Sequence, residues 1–279
     1  MIKNIAAGIF IGIANIIPGI SGGTIIVMLG MFDKIMFAIS DVFKKDAFNR
    51  KENIIFLFQI VIGLLIGLIT FANLIDLLFN NWPTQTIFCF LGFILFSVPY
   101  IIKKEMNKIS ISPLFLGLGF VIILSLVLLD NNSSSNIITA FPIVTLPHLL
   151  KMFVLGIITA MATIFPGISG AMILLILGEY HLYKTYIAKV LTFNPEVTIP
   201  IAFIAIGIII GIIFSAKITA WLLTHYRRQT MSIILGLIIM SSLILIPLNV
   251  EFDGLLILSS IVWFLFGGLV ITTIEKSKG

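Results

Sequence analysis

Charged side chains are scarce in this chain of 279 residues, of which only 10% are Asp, Glu, Lys or Arg. Soluble domains carry about 25% of such residues, so this chain has too little charge to cover a water-exposed surface. Its one cysteine, Cys89, excludes an intrachain disulfide, and the three histidines lack metal-ligand spacing. No segment shows the alternating polarity, over about 10 residues, of a transmembrane β-strand. The class that remains is the α-helical membrane protein.

Apolar residues are abundant, at 59% of the chain, and several apolar stretches reach the roughly 20 residues needed to cross a bilayer. We therefore expect an all-α polytopic membrane protein with one membrane domain over 1–279. The net charge of +5 does not indicate nucleic-acid binding, because the basic residues are scattered over short loops, as topology signals are. The apolar run after Lys3 lacks a small-residue cleavage site, so we expect it to remain in the mature protein.

An internal repeat organises the chain. The segment NIIPGISGGT at 15–24 recurs as TIFPGISGAM at 163–172. Around these two PGISG motifs, residues 8–39 align with 156–187, and 62–97 align with 206–241. Apolar composition alone does not reproduce a PGISG block, so the pattern predicts a first repeat over 1–130 and a second over 148–279.

Each repeat reads as two short apolar segments that meet at the motif, followed by three longer spans. The short segments span only about 20–25 Å at 1.5 Å per residue, less than the ~30 Å hydrocarbon core, which predicts a re-entrant helical hairpin. The short segments are 5–17 with 24–39 and 149–165 with 172–187, and the longer spans are 54–79, 84–102, 112–129, 199–224, 229–248 and 254–274.

The distribution of basic residues predicts the topology. With a cytoplasmic N-terminus, only Lys151, Lys184 and Lys189 of the 17 Lys and Arg fall outside, and Lys217 lies within a span. Three crossings per half then invert the second repeat and bring both termini to the cytoplasm. Two full crossings in place of each hairpin would leave the same charge map. Inverted repeats with broken helices build many secondary transporters, with the substrate at the repeat interface.

Pairs of glycines four residues apart occur within the apolar segments. This spacing is typical of closely packed membrane helices. The pairs are Gly8/Gly12, Gly63/Gly67 and Gly207/Gly211.

The PGISG motifs have the composition of a helix break that can hold an anion. Pro18 ends the preceding helix, the glycines allow a tight turn and close approach, and Ser21 can cap the next helix. Unpaired N–H groups in the bilayer interior need a partner, and phosphate is a common one. The alternative is a tight turn packed against its twin. The predicted phosphate-binding residues are Asn15, Pro18, Gly19, Ser21, Gly22, Gly23, Thr24, Pro166, Gly167, Ser169 and Gly170.

Few other polar residues suggest a function. Lys217 could snorkel to the cytoplasmic interface or attract a substrate anion. Arg227 marks a cytoplasmic boundary and could attract phosphate there. Asn15, and Thr163 at the equivalent position, could line a cavity between the motifs. We predict no catalytic residue, no metal site and no cofactor.

The stretches GIANIIPGISGGTIIVMLGMFDKI (12–35) and PGISGAMILLILGEY (166–180) resemble the polyprenyl-phosphate transporters of the PopT type. The resemblance covers essentially the whole chain. It implies a multi-pass protein of the bacterial plasma membrane that returns undecaprenyl phosphate, the lipid carrier of cell-wall synthesis, from the outer to the inner leaflet. The implied partners are polyprenyl phosphate and the bilayer, and a proton or a sodium ion could couple transport.

Two other functions compete with this interpretation. A membrane phosphatase acting on prenyl diphosphate would need a nucleophile or metal with acid–base groups, yet Ser21 and Ser169 have no His, Asp or Glu close in sequence. Glu179 is the nearest acid to Ser169. A secondary transporter of a small anion is the other alternative.

Overall fold

The computed structural model describes residues 1–16, 21–43, 49–105, 110–130, 142–247 and 250–276, and these ranges are almost entirely helical. The helices are α1 (Ile2–Ile16), α2 (Gly22–Met28), α3 (Phe32–Val42), α4 (Arg50–Asn81), α5 (Pro83–Glu105), α6 (Pro113–Asp130), α7 (Leu146–Ile164), α8 (Gly170–Ile176), α9 (Tyr180–Ala188), α10 (Pro195–His225), α11 (Arg227–Ile244) and α12 (Gly254–Lys276). No strand occurs within the described ranges.

Six of the described helices are long and apolar enough to cross a membrane: α4, α5, α7, α10, α11 and α12. Large apolar side chains such as Ile69, Phe214 and Leu269 are exposed on them, as expected for surfaces in contact with lipid. The prediction of a multi-pass α-helical membrane protein is confirmed. Helices α4 and α10 have 32 and 31 residues. At about 48 Å they exceed the hydrocarbon core, so they tilt or extend beyond it.

The short segments differ from the predicted ones. The stretch 24–39 forms two helices, α2 and α3, and 172–187 likewise forms most of α8 and α9. The break comes from Gly30 and Gly178, which have φ of 66° and 72°. In both places the two N–H groups after the helix bond back to its carbonyls, as in a Schellman motif: Gly30 to Val27 and Met31 to Ile26, then Gly178 to Leu175 and Glu179 to Leu174.

Two further lengths depart from the prediction. Helix α7 has 19 residues and qualifies as a membrane span, whereas its segment was expected to be too short to cross. The apolar stretch of α6, Pro113–Leu129, is shorter than the six candidate spans. The two helices that precede the motifs, α1 and α7, end at aligned residues, Ile16 and Ile164, and α7 is longer only at its start, outside the aligned stretch.

Glycine contacts join α1 to α4 and α7 to α10. A Cβ on Gly8 would lie 2.9 Å from the Cα of Gly63, and one on Gly12 would lie 3.1 Å from the Cα of Gly67. In the second half, a Cβ on Gly207 would lie 3.2 Å from the Cα of Gly156. The backbones thus touch where side chains would keep them apart, and the prediction that these glycine pairs pack helices is confirmed.

Helices from the two halves also pack crosswise. Helix α5 lies against α12, and α6 lies against α11. A Cβ on Gly92 of α5 would meet the backbone of α12 at Phe264 and Gly268, and one on Gly119 of α6 would meet that of α11 at Gly236. The main buried cluster joins both halves as well, since it includes Val27, Phe32 and Ile238. The halves are therefore interlocked.

Candidate functional site

The second PGISG motif forms a tight turn between α7 and α8. The N–H of Ile168 donates to the carbonyl of Phe165 at 3.2 Å, and Gly167 has φ of +83°. Pro166 at the second turn position and a left-handed glycine at the third are typical of a type II turn. Glycine is also needed for space, because a Cβ on Gly167 would lie 2.6 Å from the carbonyl oxygen of Leu237 in α11. Pro18 and Gly19, the matching residues of the first motif, lie outside the described residues.

The two motif serines occupy the same place but make different contacts. Each is the residue before its seven-residue helix, with extended backbone dihedrals. Ser21 Oγ accepts from the N–H of Gly23 at 3.2 Å and so caps α2. Ser169 makes no side-chain capping bond, and it is only partly buried. The hydroxyl of Ser169 is therefore not committed to the start of its own helix.

The described part of the first motif packs directly on the second. The N–H of Gly167 donates to Thr24 Oγ1 at 2.9 Å, and Ser21 Oγ lies 3.5 Å from the carbonyl oxygens of Thr163 and Phe165. Gly23 allows this approach, because a Cβ there would lie 2.8 Å from the carbonyl oxygen of Ile164. Residues that are 143 positions apart in sequence thus share a hydrogen bond.

This contact leaves no central cavity between the described parts of the motifs. Ser21 and Thr24 are 4% and 2% exposed, and Gly22, Gly23 and Gly170 are buried. The close packing corresponds to the structural alternative, in which each turn rests against its twin. The reason is that glycines at the start of α2 bring the backbones together and leave no side-chain volume to hold them apart.

A cavity of about 390 Å³ lies beside the paired motifs. We call it the α11 cavity, because four of its eight lining residues belong to the first half of that helix. Phe165, the residue before Pro166, forms part of its wall, so the cavity adjoins the second motif. The lining residues are Phe115, Phe165, Leu222, Tyr226, Gln229, Thr230, Ile233 and Ile234.

Asn15 and Thr163 precede the two motifs at equivalent positions, and both cover a glycine that starts a helix. The exposed Asn15 donates from Nδ2 to the carbonyl of Ile11 at 3.0 Å, and its amide lies 2.9 Å from where a Cβ on Gly22 would be. Thr163 Oγ1 donates to the carbonyl of Thr159 at 2.8 Å and approaches Gly170 in the same way. Both side chains flank the motif, but neither lines the α11 cavity.

The two cations proposed to attract an anion occupy different environments. Lys217 is exposed on α10 and does not line the α11 cavity. Arg227 Nη1 forms an ion pair with Asp33 Oδ2 that joins the start of α11 to the start of α3. The adjacent Tyr226 lines the cavity, so this ion pair lies near its end.

Glu179 is engaged away from the motif serines. Its carboxylate forms an ion pair with Lys151 of α7, and in the same region His148 Nε2 lies 3.0 Å from the hydroxyl of the buried Tyr186. Within the described ranges, no three His, Cys, Asp or Glu side chains come together in a way that could hold a metal ion.

Sequence reasoning missed the partners that join distant elements. Asp33 as the partner of Arg227, and Phe115 and Leu222 as cavity residues, carry no local signal. The pair Gln229–Thr230 did carry a sequence signal, because it repeats the pair Gln85–Thr86 of the first half. Both threonines donate to the carbonyl four residues earlier, but Gln85 bonds Ser259 whereas Gln229 lines the cavity.

Comparison with known proteins agrees with the resemblance carried by the motifs. A protein of Staphylococcus aureus (strain NCTC 8325 / PS 47) named polyprenyl-phosphate transporter is 29% identical over 275 residues, 98% of this chain and 95% of its own. A protein of the same name from Vibrio cholerae serotype O1 (strain ATCC 39315 / El Tor Inaba N16961) is 29% identical over 243 residues, 83% of this chain and 73% of its own. No solved structure matches the chain. A family sequence model matches residues 11–255, and the chain therefore belongs to the VCA0040-like, undecaprenyl phosphate translocase-like family.

Proposed function

We propose that this protein carries polyprenyl phosphate between the leaflets of the bacterial plasma membrane, with the phosphate headgroup bound where the two PGISG motifs meet. The observation that carries the proposal is the hydrogen bond from Gly167 N–H to Thr24 Oγ1, which brings the polar groups of both repeats to one point. The two relatives named polyprenyl-phosphate transporter support the choice of substrate.

The headgroup enters by exchange rather than by filling an empty site. In the closed arrangement, Thr24 Oγ1 satisfies the N–H of Gly167, and carbonyls surround Ser21 Oγ. A phosphate oxygen is a stronger acceptor, because hydrogen bonds to a charged group are roughly twice as strong as neutral ones. Phosphate can thus replace Thr24 Oγ1 as the acceptor for the N–H of Gly167, and the new hydrogen bonds offset part of the cost of dehydrating the headgroup. Buried polar groups stay paired in both states, as the bilayer interior requires.

Backbone and side-chain donors, not a long helix dipole, supply the attraction. Helices α2 and α8 have only seven residues each, so their dipoles are short. The donors available to phosphate are the N–H of Gly167, the hydroxyls of Ser21 and Ser169, and the exposed amide of Asn15. Pro18, Gly19, Gly22, Gly23, Thr24, Pro166 and Gly170 complete the proposed site by shaping its backbone.

The topology is inferred from the repeat and the basic residues, and the direction from the resemblance to the polyprenyl-phosphate transporters. We place both termini in the cytoplasm, with the first re-entrant hairpin entering from the inside and the second, inverted hairpin from the outside. The headgroup then passes from the outer to the inner leaflet while the prenyl tail stays in lipid. The tail needs no enclosure along its whole length, since lipid already solvates it.

The test uses vesicles that contain only this protein and a labelled polyprenyl phosphate, with leaflet exchange followed with and without a pH or sodium gradient. Ser21→Trp should abolish exchange, whereas Ser125→Trp, at an exposed serine of α6, should not. Because Ser21 is buried and its variant could fail to fold, Asn15→Leu offers a second test at an exposed position. Normal exchange in both motif variants would overturn the proposal.

The same vesicles distinguish the competing functions. Release of inorganic phosphate from prenyl diphosphate would indicate a phosphatase. Counterflow of a water-soluble anion without movement of lipid would indicate a small-anion transporter.

A further inference from the structure

We propose that the α11 cavity binds the isoprene units next to the phosphate and thereby selects polyprenyl over acyl lipids. This inference rests on the proposed function, because it takes the headgroup to be at the motifs. It adds a hydrocarbon site that the motifs themselves do not contain. The cavity volume of about 390 Å³ lies within the range typical of small-molecule sites, which is about 300–1,000 Å³.

The cavity begins where the headgroup site ends. Phe165 belongs to both the headgroup site and the cavity. Its carbonyl oxygen lies 3.5 Å from Ser21 Oγ, and the residue also lines the cavity. Gly167 packs against Leu237 of α11, and the cavity is lined by residues one to two turns nearer the start of that helix. A lipid with its phosphate at the motif therefore has its first carbons at the mouth of the cavity.

The lining fits hydrocarbon and not a second anion. Around Phe165 the wall is made of Phe115, Leu222, Ile233 and Ile234. Polar lining groups come only from the start of α11 and the residue before it: Tyr226, Gln229 and Thr230. The hydroxyl of Thr230 already donates to the carbonyl of Tyr226 at 2.9 Å. An ion in the apolar part would lose its hydration without compensation, whereas a prenyl chain loses nothing.

The cavity is open to the surroundings. Phe115, Phe165, Leu222 and Ile233 are only partly buried, which shows that the lining is not sealed from the surroundings. The remainder of a long chain can leave by this opening and enter the lipid. Only the first few isoprene units are then held by protein.

Shape selects the type of chain. Two phenylalanine rings and two branched isoleucines contribute to the lining. A methyl-branched chain can make more dispersion contacts with such side chains than a straight saturated chain of the same length. Differences of this size in hydrophobic pockets are worth about 10–200-fold in discrimination.

The experiment compares two competitors that share a phosphate headgroup. Farnesyl phosphate and dodecyl phosphate have main chains of equal length, but only the first is isoprenoid. Each is added, below the concentration at which vesicles leak, to the leaflet-exchange assay with labelled polyprenyl phosphate. We expect farnesyl phosphate to inhibit the unaltered protein at roughly tenfold lower concentration than dodecyl phosphate.

Ile233→Trp should fill the cavity and bring this ratio close to one, mainly by weakening the inhibition by farnesyl phosphate. Leu243→Trp, at an exposed position of the same helix, should keep the ratio of the unaltered protein. If Ile233→Trp does not fold, Ile233→Ala must weaken inhibition by farnesyl phosphate instead.

A folded Ile233→Trp protein that keeps the preference, or an unaltered protein that shows none, would overturn this inference and leave the proposed function standing. If the unaltered protein moves no lipid and neither competitor binds, the proposed function itself fails.

Discussion

The backbone N–H of Gly167 donates to Thr24 Oγ1 at 2.9 Å, which joins the two PGISG motifs by a hydrogen bond between the halves of the chain. Thr24 has no hydroxyl counterpart in the second motif, where Met172 occupies the aligned position. The contact is therefore one-sided although the motifs repeat. It supplies a direct test of how the motifs cooperate.

Thr24→Val should remove the acceptor and keep the side-chain volume. Because the N–H of Gly167 then lacks a partner, we expect a loss of about 1–3 kcal/mol in unfolding free energy, read as a lower melting temperature in detergent. Thr24→Ser keeps a hydroxyl and should remain near the unaltered protein. If exchange of lipid between leaflets is unaffected per folded Thr24→Val molecule, the contact is structural only.

Gly23→Ala and Gly22→Ala should differ although the residues are neighbours. A Cβ on Gly23 would meet the backbone oxygen of Ile164 at 2.8 Å, and the backbone cannot easily move away. The three atoms nearest to a Cβ on Gly22 all belong to the movable side chain of Asn15. We expect a cost of about 1–3 kcal/mol for Gly23→Ala and clearly less for Gly22→Ala, measured by thermal unfolding. Equal costs would contradict the packing described here.

The ion pair of Arg227 with Asp33 should contribute little to stability. The two side chains are 34% and 26% exposed, so a double-mutant cycle should give at most about 1 kcal/mol. The effect on transport should be unequal. Asp33→Asn removes the acidic partner and should preserve lipid exchange, whereas Arg227→Gln removes a cation near the α11 cavity and should slow it. Equal losses would show that the pair acts only as a tie between α3 and α11.

Gly178→Ala isolates the effect of backbone conformation. Nothing lies within 4 Å of the position a Cβ would take, so the cost comes only from φ of +72°. We expect about 1–2 kcal/mol of destabilisation in thermal unfolding. Gly178→Asn should lose less, because asparagine tolerates the left-handed region better. No difference between the two variants would point to another cause.

The proposed inversion of the second repeat can be tested with single cysteines. Cys89 is buried and is the sole cysteine, so a Cys89→Ala protein gives a clean background. A cysteine at Lys151 should react with an impermeant maleimide in intact cells, whereas one at Lys51 should react only after the membrane is opened. Labelling of both from the same side would contradict the inversion.

Sequence reasoning predicted the features that depend on local pattern. The membrane class, the glycine pairs and the turn at PGISG follow from composition, spacing and the properties of proline and glycine. The breaks at Gly30 and Gly178 were not expected, although the Leu–Gly pair that produces them occurs in both copies. A glycine within an apolar run is ambiguous, because the sequence does not show whether it ends a helix or lets two helices touch.

Local sequence patterns could not predict the contacts between elements that are distant in the chain. Arg227 and Asp33 are 194 positions apart, and the residues of the α11 cavity come from four separate parts of the chain. The sequence also suggested a hollow between the motifs, and the structure has direct packing with a cavity beside them. The first half of α2 lacks side-chain volume, so its fit against α7 was decided by tertiary packing.

The crosswise pairing of α5 with α12 and of α6 with α11 has a mechanical consequence. Because α5 packs on α12 and α6 packs on α11, the two halves cannot separate about a single hinge without breaking both contacts. Helix α10 also packs on α3, so the α7–α10 pair of the second half is attached to the first half at a further place. A relative motion of the halves would therefore have to disrupt several helix contacts at once.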